Sequence, residues 1–151
     1  METTPPTPAE AASPAHRLPV VGFDTGFFVR LLQADPRAVA AWGDVRARRS
    51  VGTASCVTLF ELDRLGLKGH LEREPTEALV AALPTTCRVV WLDELEGADR
   101  LRRAVRLGHG NGLAMADSIT LSSLLDVGAR TVYTTDPDLD RYDGPVEVVR
   151  L

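Results

Sequence analysis

From residue 19 onward, short apolar runs alternate with longer stretches whose apolar residues recur every three or four positions. That alternation predicts strands separated by amphipathic helices around a parallel sheet. Val20-Val21-Gly22-Phe23 reads as a first strand and Thr25 to Leu32 as a helix. Asp35-Pro36 offers an N-cap and a first-position proline to a second helix, with Val39, Trp42 and Val45 along one face. A second strand is expected near Val51 to Ala54. Ser55 then caps a helix carrying Leu59, Leu62 and Leu65, whose end Gly66 and Gly69 weaken. There follow a short helix near Thr76 to Leu83 and a third strand at Arg88 to Leu92. Asp93 and Glu96 form a capping-box-like start for a helix running to about Leu107 and stopping at Gly108. His109-Gly110-Asn111-Gly112 reads as a turn. A helix from Ala114 to Asp126 closed by Gly128, a strand from Thr131 to Thr134 and a last strand from Val146 to Val149 complete the chain. The order βααβααβααβ-β predicts a three-layer α/β/α sandwich with a mainly parallel sheet.

At 151 residues, 44% hydrophobic and 25% charged, the chain can bury one core and is too short for two. One domain over residues 19–151 is therefore expected, preceded by a disordered proline-rich tail over residues 1–18. A net charge of -4 rules out coating nucleic acid by charge alone, so any such contact must come from local patches. Cys56 and Cys87 lie in apolar contexts without a Cys-x-x-Cys pair, the pattern of small core residues in a reducing cytoplasm. No run reaches the roughly 18 consecutive apolar residues a membrane helix needs.

Four acids stand out against this frame. Asp24 follows the first strand and Asp136 the fourth, so both emerge at carboxyl ends of strands, where open α/β sheets bind ligands. Glu61 lies between Leu59-Phe60 and Leu62, and Asp117 between Ala114-Met115-Ala116 and Ile119, surroundings in which an idle carboxylate is costly. Each also has a simpler reading: a helix cap for Asp24, a solvated helix position for Glu61, a partner-bonded structural acid for Asp117, and an Asp-Pro turn for Asp136. Taken together they suit a shared cation, and magnesium or manganese, which favour oxygen ligands, are the expected occupants. Such a centre can direct a water at a phosphodiester. His16, His70 and His109 fall in tail, turn and loop, and Ser118 lacks a nucleophile-elbow pattern.

These residues resemble the PIN domain, and most closely the VapC-like ribonuclease toxins of bacterial toxin–antitoxin pairs, over roughly residues 19–145. Asp24-Thr25-Gly26-Phe27-Phe28 is similar to the family's strand-ending Asp-Thr before an apolar helix, and Ser55 to Glu61 matches a small polar residue some six positions before a helical Glu. Ala116-Asp117-Ser118-Ile119 resembles the Ala-Asp helix start. Thr134-Thr135-Asp136-Pro137-Asp138-Leu139 resembles the Thr-x-Asp-x-Asp loop, with Leu139 where the family usually has an aromatic. The resemblance implies catalytic, metal-binding acids Asp24, Glu61, Asp117 and Asp136, with Asp138 an alternative ligand, Asp140 also in the same acid-rich stretch, and Thr25 and Thr134 in supporting polar roles. It implies a magnesium- or manganese-dependent endoribonuclease acting on RNA such as transfer or ribosomal RNA, a small antitoxin partner, and a homodimer.

Two basic clusters, Arg46, Arg48 and Arg49, and Arg102, Arg103 and Arg106 beside Arg100, could hold substrate phosphates; the simpler reading is solvated helix faces paired with Asp99, Glu94 or Glu96. A haloacid-dehalogenase-like phosphatase needs a second acid where Gly26 stands, and a receiver domain needs paired first-strand acids and a late lysine that the chain does not offer. The alternative that survives is a non-catalytic PIN-like module that binds RNA or protein.

Overall fold

The computed structural model describes residues 17–95 and 98–151. Apart from Arg17 and Leu18, the expected tail lies outside the described residues, as does the Glu96 half of the expected capping box. Among the described residues, β1 (Val20–Phe23), β2 (Val51–Ser55), β3 (Arg88–Val90), β4 (Thr131–Thr134) and β5 (Glu147–Arg150) form one sheet in the order β3-β2-β1-β4-β5. Every neighbouring pair is parallel. The helices are α1 (Thr25–Leu32), α2 (Pro36–Arg46), α3 (Cys56–Leu67), α4 (Arg73–Thr86), α5 (Ala98–Asn111) and α6 (Met115–Asp126), joined by 3₁₀ turns at Leu92–Leu95 and Pro137–Arg141.

The period-two alternation of β1 and β4 separates two cores. Phe23 and Tyr133 point to one face, where Phe27 and Phe28 of α1, Ala38, Ala41 and Val45 of α2, Leu59 and Leu62 of α3 and Leu83 of α4 pack. Val20, Val132 and Val148 point to the other, against Leu107 of α5 and Leu121 and Leu124 of α6. Gly22 lies under Leu124, whose Cδ1 would stand 2.8 Å from any Cβ added there, so the bare backbone lets α6 lie close on β1. Leu139 is 4% exposed in this second core, which accounts for an aliphatic side chain at that position.

Several elements differ from expectation for identifiable reasons. On α2 the buried stripe is Ala38, Ala41 and Val45, while Val39 is 47% exposed. The helix is turned so that the half-buried Trp42 meets Phe28 edge-on at 5.7 Å. The α4 helix starts earlier than expected and runs through Pro84. Its first turn accepts Pro75, because an N–H there lacks an intrahelical partner in any case, and Thr76 donates to the Glu72 carbonyl at 2.7 Å. The β3 strand is shorter than expected, and Trp91 and Leu92 are exposed where the chain turns into the 3₁₀ segment. Gly108 does not stop α5, which continues to Asn111. A Cβ at Gly108 would overlap the Ser118 side chain, so this glycine permits close α5–α6 packing, and the turn falls at Gly112 with φ +66.

Candidate active site

The chain leaves β1 toward β2 on one side and later enters β4 on the other, so the β1–β4 boundary is the point where strand order reverses. Ligand crevices of open α/β sheets form there, outside the carboxyl ends of the strands. Asp24 directly follows β1, and Asp136 follows β4 after one residue. Because α3 departs from the end of β2, it begins at this edge and carries Glu61 in its second turn. Because α6 leads into the start of β4, its first turn lies at the same edge, and that turn holds Asp117. Four acids remote in sequence are thus delivered to one side of the sheet by connection geometry alone.

Their local bonds are specific. Asp24 is the N-cap of α1, and its Oδ1 accepts from the Phe27 N–H at 2.9 Å, while Oδ2 accepts from the Thr134 hydroxyl. The same Thr134 oxygen accepts from the Asp136 N–H at 2.8 Å, so one fully buried hydroxyl ties the two strand-end acids together. The Thr25 hydroxyl donates to Glu61 Oε2 at 2.6 Å. Asp136 caps the following 3₁₀ turn by accepting from the Asp138 N–H at 2.8 Å. The cap and turn readings of Asp24 and Asp136 are therefore both realised, and each carboxylate still faces the crevice acids. Asp138 is 3.1 Å from Arg141. Asp140 is exposed and 2.6 Å from Arg150.

Burial lifts the Asp24 carboxyl from its ordinary 3.8 to about 6; the bonds from Thr134 and Phe27 oppose the rise, and the charges of Asp117 and Asp136 add to it. Asp117 is also raised, by burial first and then by Asp136, Glu61 and Asp138. A cavity of about 10 Å³ between Asp24 and Asp117 is otherwise lined by Thr120, Leu121, Leu124, Val132 and Leu139, the apolar surroundings that desolvate both acids. Among the described residues, no group of three or more His, Cys, Asp or Glu side chains is arranged to hold a metal ion. In chemistry the group nonetheless fits a hard divalent cation. It consists of oxygen donors that repel one another, with Asp117 facing three of them, and among the described residues Asp24, Glu61, Asp117 and Asp136 form no ion pair.

A raised carboxyl pKa has a definite consequence for stability. The folded, cation-free protein binds the Asp24 proton more tightly than the unfolded chain does, so this contribution is full below about pH 4 and is lost as pH rises through about 6, a difference on the order of 3 kcal/mol. In EDTA, wild-type stability should therefore fall relative to Asp24→Asn across that window. Denaturation curves of the two proteins that stay parallel from pH 4 to pH 7 would contradict it.

Gly26 is a site residue that motif reading passes over. Any Cβ there would strike the Thr135 side chain and stand 3.1 Å from the Thr135 backbone nitrogen, so the bare glycine lets the β4 loop seat on the first turn of α1. Its legible signal was a glycine inside a helix start, where it is intrinsically unfavourable. Gly26→Ala is expected to lower stability by about 1–3 kcal/mol, with Thr135→Gly restoring most of it. Urea denaturation of the single and double variants measures both.

The basic clusters separate. Arg46, Arg48 and Arg49 directly precede β2 and so lie at the amino edge of the sheet, opposite the acids, with Arg49 2.7 Å from Asp44. Arg100 and Arg103 both engage Asp126, at 3.3 and 3.4 Å. Arg102 and Arg106 are exposed and form no ion pair among the described residues.

The fold and the acids at its switch point define an α/β protein with an acidic crevice. No protein-family model matches the sequence, and no curated protein matches it. Solved structures do. A chain of VapBC2 from Rickettsia felis, crystallised with a DNA fragment of its promoter, is 14% identical with a TM-score of 0.65, covering 87% of this chain and 98% of that one. A chain of DNA-bound VapBC from Salmonella typhimurium is 16% identical with a TM-score of 0.64, covering 89% and 98%. VapC20 from Mycobacterium tuberculosis, a sarcin-ricin-loop-cleaving toxin, is 20% identical with a TM-score of 0.58, covering 84% and 98%. The chain has the PIN-domain fold of the VapC structures. No helix among the described residues is long and apolar enough to cross a membrane.

Proposed function

We propose that this protein is a magnesium- or manganese-dependent endoribonuclease, the toxin of a toxin–antitoxin pair. The observation that carries the reading is the meeting of Asp117 with Asp136, Glu61 and Asp138 at the switch point of the sheet, where among the described residues Asp117, Asp136 and Glu61 form no ion pair and Asp138 pairs with Arg141. The likeness to a toxin that cleaves an RNA loop supports the choice of substrate class.

Asp24 and Asp117 would hold the cation from the buried side, and Glu61 and Asp136 would complete the donor set, with Asp138 at the outer rim. A bound magnesium or manganese ion would supply acidity to a water and offset charge on the phosphate oxygens. Thr134 fixes the spacing of Asp24 and Asp136, and Thr25 orients Glu61. Ribosomal or transfer RNA is the expected target. A small antitoxin protein that covers the acids and a homodimeric assembly complete the proposal.

The chemistry of the cut ends provides the test. Attack by water leaves the ribose 2′-hydroxyl out of the reaction, so a substrate with a single 2′-deoxy residue at the scissile position should still be cut in manganese and spared in EDTA. Products ending in 2′,3′-cyclic phosphate and formed equally in EDTA would contradict the reading. A folded protein that neither cuts RNA nor is stabilised by manganese would be the non-catalytic module instead.

A further inference from the structure

A polyanion approaching four carboxylates is repelled unless cations stand beside them, and the net charge of -4 leaves that task to a local patch. The arginines flagged in the sequence do not all remain available. Arg46, Arg48 and Arg49 sit at the far edge of the sheet, and Arg100 and Arg103 share Asp126.

A different group borders one of the acids, Glu61. A pocket of about 300 Å³ is lined by Glu61, Arg64, Leu65, Lys68 and His70. Glu61, Arg64 and Lys68 follow one another at three- and four-residue spacing, which places them along one face of α3 and its C-cap. The chain then turns at Gly69, with φ +73 and the His70 N–H donating to the Leu65 carbonyl at 3.0 Å, and this fold-back brings the imidazole to the same pocket. Arg64 and Lys68 are exposed, and among the described residues neither forms an ion pair. The negative end of the helix dipole accounts for a cation at this terminus. It does not account for two cations and an imidazole opening onto a pocket whose remaining polar wall is Glu61, the acid held by Thr25.

We propose that Arg64 and Lys68, joined by His70, form the subsite that holds the RNA phosphodiester backbone on the Glu61 side of the acidic centre. The two cations stand about one helical turn apart, roughly 5.4 Å, and so can engage neighbouring phosphates of one strand. The acids and the cations divide the work: the acids act at one phosphate, and α3 holds the strand beside it. This subsite rests on the ribonuclease reading and extends it by naming where the substrate is gripped.

The test uses the full chain carrying Asp117→Asn, so that RNA is bound without being cut, and a fluorescent single-stranded RNA titrated over a range of salt. Arg64→Ala with Lys68→Ala should weaken binding tenfold or more at low salt. It should also reduce the slope of log affinity against log salt by about 1.4, from about 0.7 per phosphate contact on a single strand. The charge-preserving pair Arg64→Lys with Lys68→Arg should retain the slope, and thermal unfolding should report the same fold for all variants. Arg102→Ala with Arg106→Ala should change the slope less. An unchanged slope in the alanine pair would overturn the subsite while leaving the nuclease reading intact, and loss of binding to a poly-glutamate peptide alone would reassign the pocket to an acidic protein segment. Failure of the parent protein to bind RNA at any salt would overturn the RNA reading and the subsite with it.

Discussion

Asp117→Asn should abolish metal-dependent RNA cleavage while leaving the cation-free protein at least as stable as wild type. The expected loss exceeds about 100-fold, because changes to outer partners of a metal site already cost about 10–100-fold and Asp117 sits among the acids themselves. The stability half follows from the cause of its raised pKa. Burial and the charges of Asp136, Glu61 and Asp138 all oppose ionisation of Asp117, so at neutral pH its charge works against the fold. Asparagine keeps the shape and removes the charge. Activity would fall as stability holds or rises, the trade expected where a site carries strain for function. Cleavage assays with thermal unfolding in EDTA measure both halves, and a variant that is inactive because it has unfolded would contradict the assignment.

The second large effect lies in the core beneath the site. Phe27 is fully buried, stacked on Phe23 with ring centroids 3.9 Å apart and meeting Phe28 edge-on at 5.1 Å. Phe27→Ala should cost about 3–5 kcal/mol through lost burial and the cavity left behind, a large share of the about 5–15 kcal/mol that holds a domain folded. Function is coupled to this packing because the Phe27 N–H is the group capped by Asp24. Loosening the ring loosens the first turn of α1 and the carboxylate that caps it. Urea denaturation checks the magnitude, and a cost below about 1 kcal/mol would place Phe27 outside the rigid core.

How far the sequence discloses this molecule depends on the range of the forces involved. β1, α1 and β4 were legible to the residue because local alternation and caps such as Asp24 and Asp35 act within a few positions. Gly108 misled because its reason is Ser118 on the next helix, which no local pattern reveals. The parallel pairing of β5 is equally nonlocal. Parallel strands need a crossover of about a dozen residues or more, and the 3₁₀ turn with its loop between Thr134 and Glu147 serves as one without a full helix. At the site, the four acids could be singled out by their apolar neighbours and strand-end positions. The bridging bonds of Thr134 and the choice among arginines depend on which edge of the sheet each connection reaches. Arg46 to Arg49 looked as suitable as any cluster until the direction of β2 placed them opposite the acids. Arg64, Lys68 and His70 gave no signal as a group because the turn at Gly69 unites them.

The most direct measurement is a manganese titration of the wild-type protein and Asp117→Asn at neutral pH, with free manganese followed by electron paramagnetic resonance. Saturable binding by the wild type, weakened at least tenfold in the variant, is the expected result. Equal binding by both proteins, or none by a folded wild type, would contradict an acidic cation centre at the switch point of this sheet.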